Sequence, residues 1–235
     1  MVKPILVSEP RLVTGPVSGG ITTRRGFPAA TRAGHDDPAR AEGRELLARL
    51  IGLGPERLAW LEQVHGKDVL PVDAGGLAGK ADALVTRATG LALLVAVADC
   101  GPVLLWDAKA GVIGAAHAGW RGAVAGVCGT TVAAMRDLGA SEISAWVGPC
   151  IGVRKFEVGE EVAQQFASTF VDRTHERPHV DLARAIVSSL LEAGLDERRI
   201  RMADQCTFEL EDRYWSYRRD GGICGRQFAW IVRED

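Results

Sequence analysis

The sequence predicts an α+β fold, with central mixed or antiparallel β-sheets and flanking helices. Apolar runs of strand length do not alternate regularly with helical patterns, which argues against a doubly wound parallel sheet. Residues 102–106 and 112–116 are two such runs, joined by the polar link DAKAG at 107–111, and read as a β-hairpin. Residues 91–98 form a continuous apolar run, as in a strand buried on both faces. The chain has 235 residues and shows neither a Pro/Ser-rich linker nor a shift in composition. One domain spanning 1–235 is therefore expected, long enough to bury a sizeable core.

The elements follow in order. Residues 5–7 read as an edge strand and 17–23 as a second strand, ending in the basic turn Arg24, Arg25, Gly26. HDDP at 35–38 reads as a helix start, with Asp37 as cap and Pro38 in the first helical position. Leu46, Leu47, Leu50 and Ile51 then carry helical spacing, and Gly52 or Gly54 can end that helix. Residues 58–64 and 68–72 read as strands on either side of a His65-Gly66 turn, 75–80 as a flexible loop and 82–86 as a short strand. After the hairpin, 121–138 reads as one helix whose glycines imply close packing on a sheet, terminated by Gly139. A strand at 143–147, an amphipathic stretch at 158–170 and a helix at 179–192, capped by Asp181 and stopped at Gly194, come next. Strands are expected at 200–202, 215–217 and 228–232.

Bulk properties narrow the function classes. The net charge of −2 gives no general attraction to nucleic acid. The longest apolar run is far below the roughly 18 residues of a membrane span, and MVKPILVSEP lacks the pattern of a signal peptide. Five cysteines, an odd number, imply reduced thiols and a cytoplasmic location. CxxC, HExxH, P-loop and strand-linked GxGxxG motifs are absent, as are internal repeats.

The chemistry concentrates at 98–122. Cys100 and His117 flank the hairpin, so antiparallel pairing would bring them to one end of the sheet. A thiol and an imidazole there can be a nucleophile and its base, or two ligands of a soft to borderline metal. Each also has a plain structural reading, Cys100 as a small core residue and His117 as a partner of a backbone carbonyl. His65 is a third candidate ligand. Together the three suggest a catalytic zinc site with a fourth position left for water, although their spacings match no short metal motif. The arginines form a second group: Arg218, Arg219 and Arg226 in one Gly-rich segment, and Arg24, Arg25 and Arg121 in others. Arginine suits phosphate because its planar fork makes paired, charge-assisted hydrogen bonds. Any single one can equally be a solvated turn residue. Trp120, Trp215 and Tyr217 can stack a base or fill the core. Asp99 and Asp204 can orient a histidine or exchange protons. Cys128 reads as helix packing, and His35, His175 and His179 as surface residues.

Several segments closely resemble the YfiH family, also called peptidoglycan editing factor or laccase-like polyphenol oxidoreductase. They are WLEQVHGKDVL (60–70), ADALVT (81–86), ADC (98–100), HAGWRG (117–122), GPCIG (148–152), FEVGEEV (156–162), CT (206–207) and SYRRDGGICGR (216–226). The resemblance implies a CNF/YfiH-like α+β fold with sheets at the centre and helices outside. It implies zinc, or copper, held by His65, Cys100 and His117. It also implies a purine nucleoside phosphorylase that cleaves adenosine, inosine and methylthioadenosine to ribose 1-phosphate and base, and that deaminates adenosine. Arg24, Arg218 and Arg226 would then hold phosphate. The expected partners are a purine nucleoside and phosphate, with no nucleic acid or membrane, and a monomer is expected. A Cys100/His117 amide hydrolase acting on cell-wall precursors, a copper-dependent phenol oxidase and a non-catalytic binding protein are the alternatives. The chain departs from the family by a shortened segment before HDDP and by Gly43, where family members carry Asn before the helix arginine.

Overall fold

The computed structural model describes residues 6–29 and 37–234. In chain order the strands are β1 (Leu6–Thr14), β2 (Val17–Thr22), β3 (Leu58–Glu62), β4 (Val69–Pro71), β5 (Gly76–Lys80), β6 (Ala83–Thr86), β7 (Ala92–Val97), β8 (Gly101–Asp107), β9 (Val112–Ala118), β10 (Ser144–Val147), β11 (Val171–Asp172), β12 (His179–Val180), β13 (Ile200–Met202) and β14 (Gln227–Arg233). The α-helices are α1 (Pro38–Leu50), α2 (Trp120–Ala125), α3 (Val127–Asp137), α4 (Glu160–Ala163), α5 (Leu182–Glu192) and α6 (Tyr217–Asp220). Two mixed six-stranded sheets result, ordered β1-β2-β14-β7-β3-β5 and β13-β10-β8-β9-β6-β4, with β11 and β12 as a separate ribbon.

The two-residue period of the strands sets the layers. From β7, Leu93 and Val95 meet Leu104, Trp106, Ile113 and Ala115 of the second sheet, forming a core between the sheets. Ala92 and Leu94 of the same strand face outward onto Leu47 and Ala48 of α1. Val103 and Leu105 point the other way, onto α3 and α5 through Val132, Met135, Ile186 and Leu190. Both faces of β7 and β8 are therefore buried, which is why their sequences read as unbroken apolar runs. The order of layers is helix, sheet, sheet, helix.

One feature of the topology positions the site. Strands β3, β5 and β7 are parallel neighbours in the first sheet. The chain leaves the end of each and crosses to β4, β6 and β8 of the second sheet, which also share one direction. The three crossovers, 63–68, 81–82 and 98–100, thus lie at one edge of the sandwich. Val97 pairs with Gln227, and Val147 with Val103 and Met202. The loops 148–152 and 203–207, and Arg226 just before β14, therefore come to that same edge.

Several expectations are corrected. Residues 76–80 are the strand β5, because a Gly-rich segment can pair through its backbone alone. Gly75, at its start, lies so close to Glu56 that a Cβ would run into the Glu56 carbonyl. The single helix over 121–138 is broken at Gly126, whose φ of 90° is left-handed. Residues 215–217 are not a strand: Ser216 caps α6 through the Arg219 N–H. The helix expected from 179 starts at Leu182, capped by Asp181 as expected, and His179–Val180 form β12. The stretch 158–170 forms only the four-residue α4 and a 3-10 turn at Ser168–Phe170. Asp37 caps α1 by accepting the Ala39 N–H, whereas Ile5, His35 and Asp36 lie outside the described residues. At Gly43 a Cβ would meet the Phe228 ring at 2.6 Å, so that departure from the family pattern is filled by packing from β14.

Candidate active site

The first crossover builds a tight turn. Gln63 prolongs the β3–β7 pairing with its side chain: Nε2 donates to the Ala96 carbonyl (2.9 Å) and Oε1 accepts the Ala96 N–H (2.8 Å). Beyond it, His65 adopts a left-handed φ of 61°, and the N–H groups of Val64, His65 and Gly66 converge on one carboxylate. That carboxylate is Asp82, in the second crossover, at 3.2, 2.9 and 2.6 Å. Successive N–H groups of this kind make a concave anion-binding nest. Asp82 is fully buried, and its Oδ1 also lies 2.7 Å from His117 Nδ1. Burial pushes the Asp82 carboxyl up, but the hydrogen bonds from His117, Gly66 and His65 outweigh it and hold the group below the usual carboxylate range. An ionised Asp82 fixes the His117 proton on Nδ1 and leaves Nε2 free to bind.

The third crossover brings Cys100. Hairpin register places Pro102 opposite His117 and Gly101 opposite Ala118, so Cys100 lies one step beyond the last pair. The ligand atoms of His65, Cys100 and His117 all fall within 4.8 Å of one another, and the two rings meet edge to face with centroids 4.8 Å apart. Gly119 is glycine for a local reason: a Cβ would sit 2.9 Å from Cys100 Sγ and 3.1 Å from a His65 ring carbon. Burial pushes the Cys100 thiol up, but His117 and His65 outweigh it and bring it down to about 6. Burial opposes charge on His117 too, yet Cys100 and Asp82 raise it to about 9. Elsewhere burial wins: Cys128 is pushed up to about 12, and Cys150 upward as well. One thiol sulfur and two imidazole nitrogens are donors that a soft to borderline metal ion takes. The cluster can hold a metal.

The trio lines a cleft of about 610 Å³ together with Tyr217, Arg218 and Arg226. Asp99, just before Cys100, organises that wall. It has a left-handed φ of 79°; its Oδ1 accepts from Thr207 Oγ1 (2.6 Å), and its Oδ2 from Ser216 Oγ (3.0 Å) and the Arg218 N–H (2.7 Å). Arg218 donates one guanidinium N–H to the Glu157 carbonyl. Arg226 commits Nη1 to the Cys224 and Gly225 carbonyls (2.8 and 3.0 Å), while its Nε and Nη2 bond to no described residue. Arg219 is structural, tied to Asp220 and to the Thr207, Phe208 and Tyr214 carbonyls. Arg24 does not line the cleft: it stacks on Trp215 at 4.2 Å and donates to the Glu211 carbonyl.

A family model described as multi-copper polyphenol oxidoreductase laccase matches residues 17–234. The chain belongs to this family. Among its relatives are a purine nucleoside phosphorylase of Deinococcus radiodurans, 43% identical with 83% of this chain and 78% of that protein covered, and purine nucleoside phosphorylase YfiH of Escherichia coli, 38% identical with 84% and 83% covered. The crystal structure of YlmD from Geobacillus stearothermophilus superposes with a TM-score of 0.86 at 29% identity, over 94% of this chain and 93% of that one. The YfiH resemblance and the α+β fold expected from the motifs are thus correct. No helix among the described residues is long and apolar enough to cross a membrane.

Four residues of this family member's site escape a reading of the sequence. Asp82 and Gln63 lie at strand ends, where a polar residue is unremarkable. Thr207 and Ser216 lie in loops far along the chain from Asp99. Asp99, a candidate to orient a histidine, holds the arginine loop instead, and Asp82 orients His117. An acidic residue heading the otherwise apolar ADALVT strand was the available signal for Asp82.

Proposed function

We propose that the protein is a zinc-dependent purine nucleoside phosphorylase with adenosine deaminase activity. The observation that carries this reading is the placement of His65, Cys100 and His117 in one cleft with Arg218 and Arg226. Relatives named purine nucleoside phosphorylase at 38–43% identity support it. In phosphorolysis, a phosphate oxygen forms a bond to C1′ as the bond from C1′ to the purine nitrogen breaks. The electron pair leaves with the base, which takes a proton. Positive charge develops on the ribose, so a phosphate dianion held close favours the transition state. The free edge of the Arg226 guanidinium and the open donors of Arg218 are the groups to hold it, by paired charge-assisted bonds. Asp99 fixes the backbone of Arg218, so that wall needs little reorganisation on binding. Asp82 keeps the His117 proton on Nδ1. Zinc, when bound by the trio, supplies Lewis acidity to the substrate and acidifies a water for deamination.

Product analysis tests the reading. Adenosine with zinc-loaded protein should give adenine and ribose 1-phosphate only when phosphate is present, and inosine from the deaminase activity. None should form with Cys100→Ala. Absence of phosphorolysis by the zinc-loaded protein would overturn it. A second reading, a Cys/His amide hydrolase, draws on the lowered Cys100 thiol beside an Asp82-oriented His117. Rapid alkylation of Cys100 in the active, zinc-treated enzyme would favour that reading, because bound zinc masks the thiolate. The copper phenol oxidase reading draws less support, since the described residues offer one three-ligand cluster where a multi-copper enzyme needs several.

A further inference from the structure

We infer that Tyr217 is the stacking wall for the planar base of the substrate, and so a specificity-determining residue of this cleft. The inference rests on the nucleoside reading above. Of the three aromatic residues that the sequence offers for stacking, two have a face already covered. The Arg24 guanidinium lies 4.2 Å from the Trp215 ring, and that of Arg121 lies 4.3 Å from Trp120. Trp215 does not line the cleft; Trp120 does, but it is partly buried against the core under the helices and carries the Arg121 guanidinium on its ring. Tyr217 combines what neither tryptophan does. It lines the same cleft as the trio, no cation among the described residues covers its ring, and it is 56% exposed, more open than any other described Phe, Trp or Tyr.

The ring is also held in place. Tyr217 is the first residue of α6, directly after the cap Ser216, whose hydroxyl donates to Asp99. On the far side of α6, Gly222 has a φ of 95°, and a Cβ there would touch the Tyr217 ring at 3.6 Å. Asp99 thus anchors the start of α6 on both sides of Tyr217, through Ser216 Oγ and the Arg218 N–H, and only a residue without Cβ leaves the ring clear at 222. An exposed aromatic face held in this way loses little entropy on binding and gains dispersion and apolar burial when a flat ring covers it. A purine supplies such a ring, while ribose and phosphate do not. The next residue, Arg218, carries the proposed phosphate contact, so α6 would present the two recognition groups side by side.

The test uses the zinc-loaded enzyme in the synthetic direction, with hypoxanthine and ribose 1-phosphate varied separately. Tyr217→Ala should raise KM for hypoxanthine about tenfold, as for loss of one base–aromatic stack. KM for ribose 1-phosphate should stay near the wild-type value, and Tyr217→Phe should restore base affinity because the ring remains. Unchanged KM for hypoxanthine in Tyr217→Ala, or an equal rise for both substrates, would overturn the inference. Calorimetric titration with adenine provides a readout independent of turnover. Loss of adenine binding in Tyr217→Ala and its return in Tyr217→Phe would support the stacking wall even if wild type catalysed no phosphorolysis, an outcome that sinks the reaction and not the wall. Equal adenine binding by wild type and Tyr217→Ala, or none by either, would sink the wall.

Discussion

The two sides of the cleft are each built on one buried aspartate, and the two aspartates work at different ranges. Asp82 gathers the N–H groups of 64–66 and the ring of His117, none of them more than 35 residues away. Asp99 gathers Thr207, Ser216 and Arg218, which lie 108 to 119 residues along the chain. Both sit in crossovers at the same edge. The side that carries His65, Cys100 and His117 is therefore assembled within one stretch of β-strands, whereas the arginine side exists only because the C-terminal segment folds back onto Asp99. The first side should respond to substitution through metal affinity, the second through anion and substrate affinity.

The largest effect that would sharpen this contrast is expected from Cys100→Ala. It should abolish stoichiometric metal binding and reduce phosphorolysis to background, as read by metal analysis and product assay. Retained metal would break the assignment of that side. Asp82→Asn comes next. It keeps the shape but loses the charge that orients His117, and should weaken zinc affinity about 10–100-fold in a chelator competition. KM for phosphate should move far less.

A pH effect follows in the metal-free protein. The Cys100 value lies below that of an unfolded thiol, so its contribution to stability is complete at high pH and is lost as pH falls through about 6. The His117 value lies above that of an unfolded imidazole, so its contribution is complete at low pH and is lost as pH rises through about 9. Both describe one thiolate–imidazolium pair. Between about 6 and 9 the two contributions run in opposite directions and offset, so the Tm of metal-free wild type should vary little there. Cys100→Ser, which lacks the rising thiolate contribution, should instead lose stability as pH rises across that window. A wild-type profile identical to that of Cys100→Ser would break the pairing.

On the arginine side, Asp99→Asn places an amide N–H against existing donors. KM for phosphate should rise about tenfold, on the scale of a lost charge-assisted hydrogen bond, with zinc stoichiometry intact. The smallest effect is expected at Arg24. Its guanidinium is occupied by Trp215 and Glu211, so Arg24→Ala should alter KM for phosphate by less than about twofold. A larger rise would return Arg24 to the anion site.

The same difference in range explains what the sequence reveals. Hairpin register alone brings Cys100 to His117, because two apolar runs and a short polar link fix which ends meet. The caps Asp37 and Asp181 and the stops at Gly139 and Gly194 are likewise local, and local chemistry is written in neighbouring residues. Strand β5 is hidden because its glycines offer no side-chain pattern to read. The aromatic run 215–217 carries β-like composition, yet Ser216 serves a helix whose anchor, Asp99, lies over a hundred residues earlier. The placement of Arg218 and Arg226 beside the trio, with Arg24 elsewhere, depends on the same long-range closure.

The three crossovers also bear on how the molecule reaches its native state. Cys100 and His117 meet at the open end of one hairpin, but His65, on the crossover from β3 to β4, joins them only once strands of both sheets are in register. A metal held by the trio would therefore have no complete site in the unfolded chain and would not nucleate folding as it does in small zinc modules. Pairings between distant strands form slowly, so tight metal capture should be among the last events of refolding. Its onset would mark the molecules in which both sheets have docked.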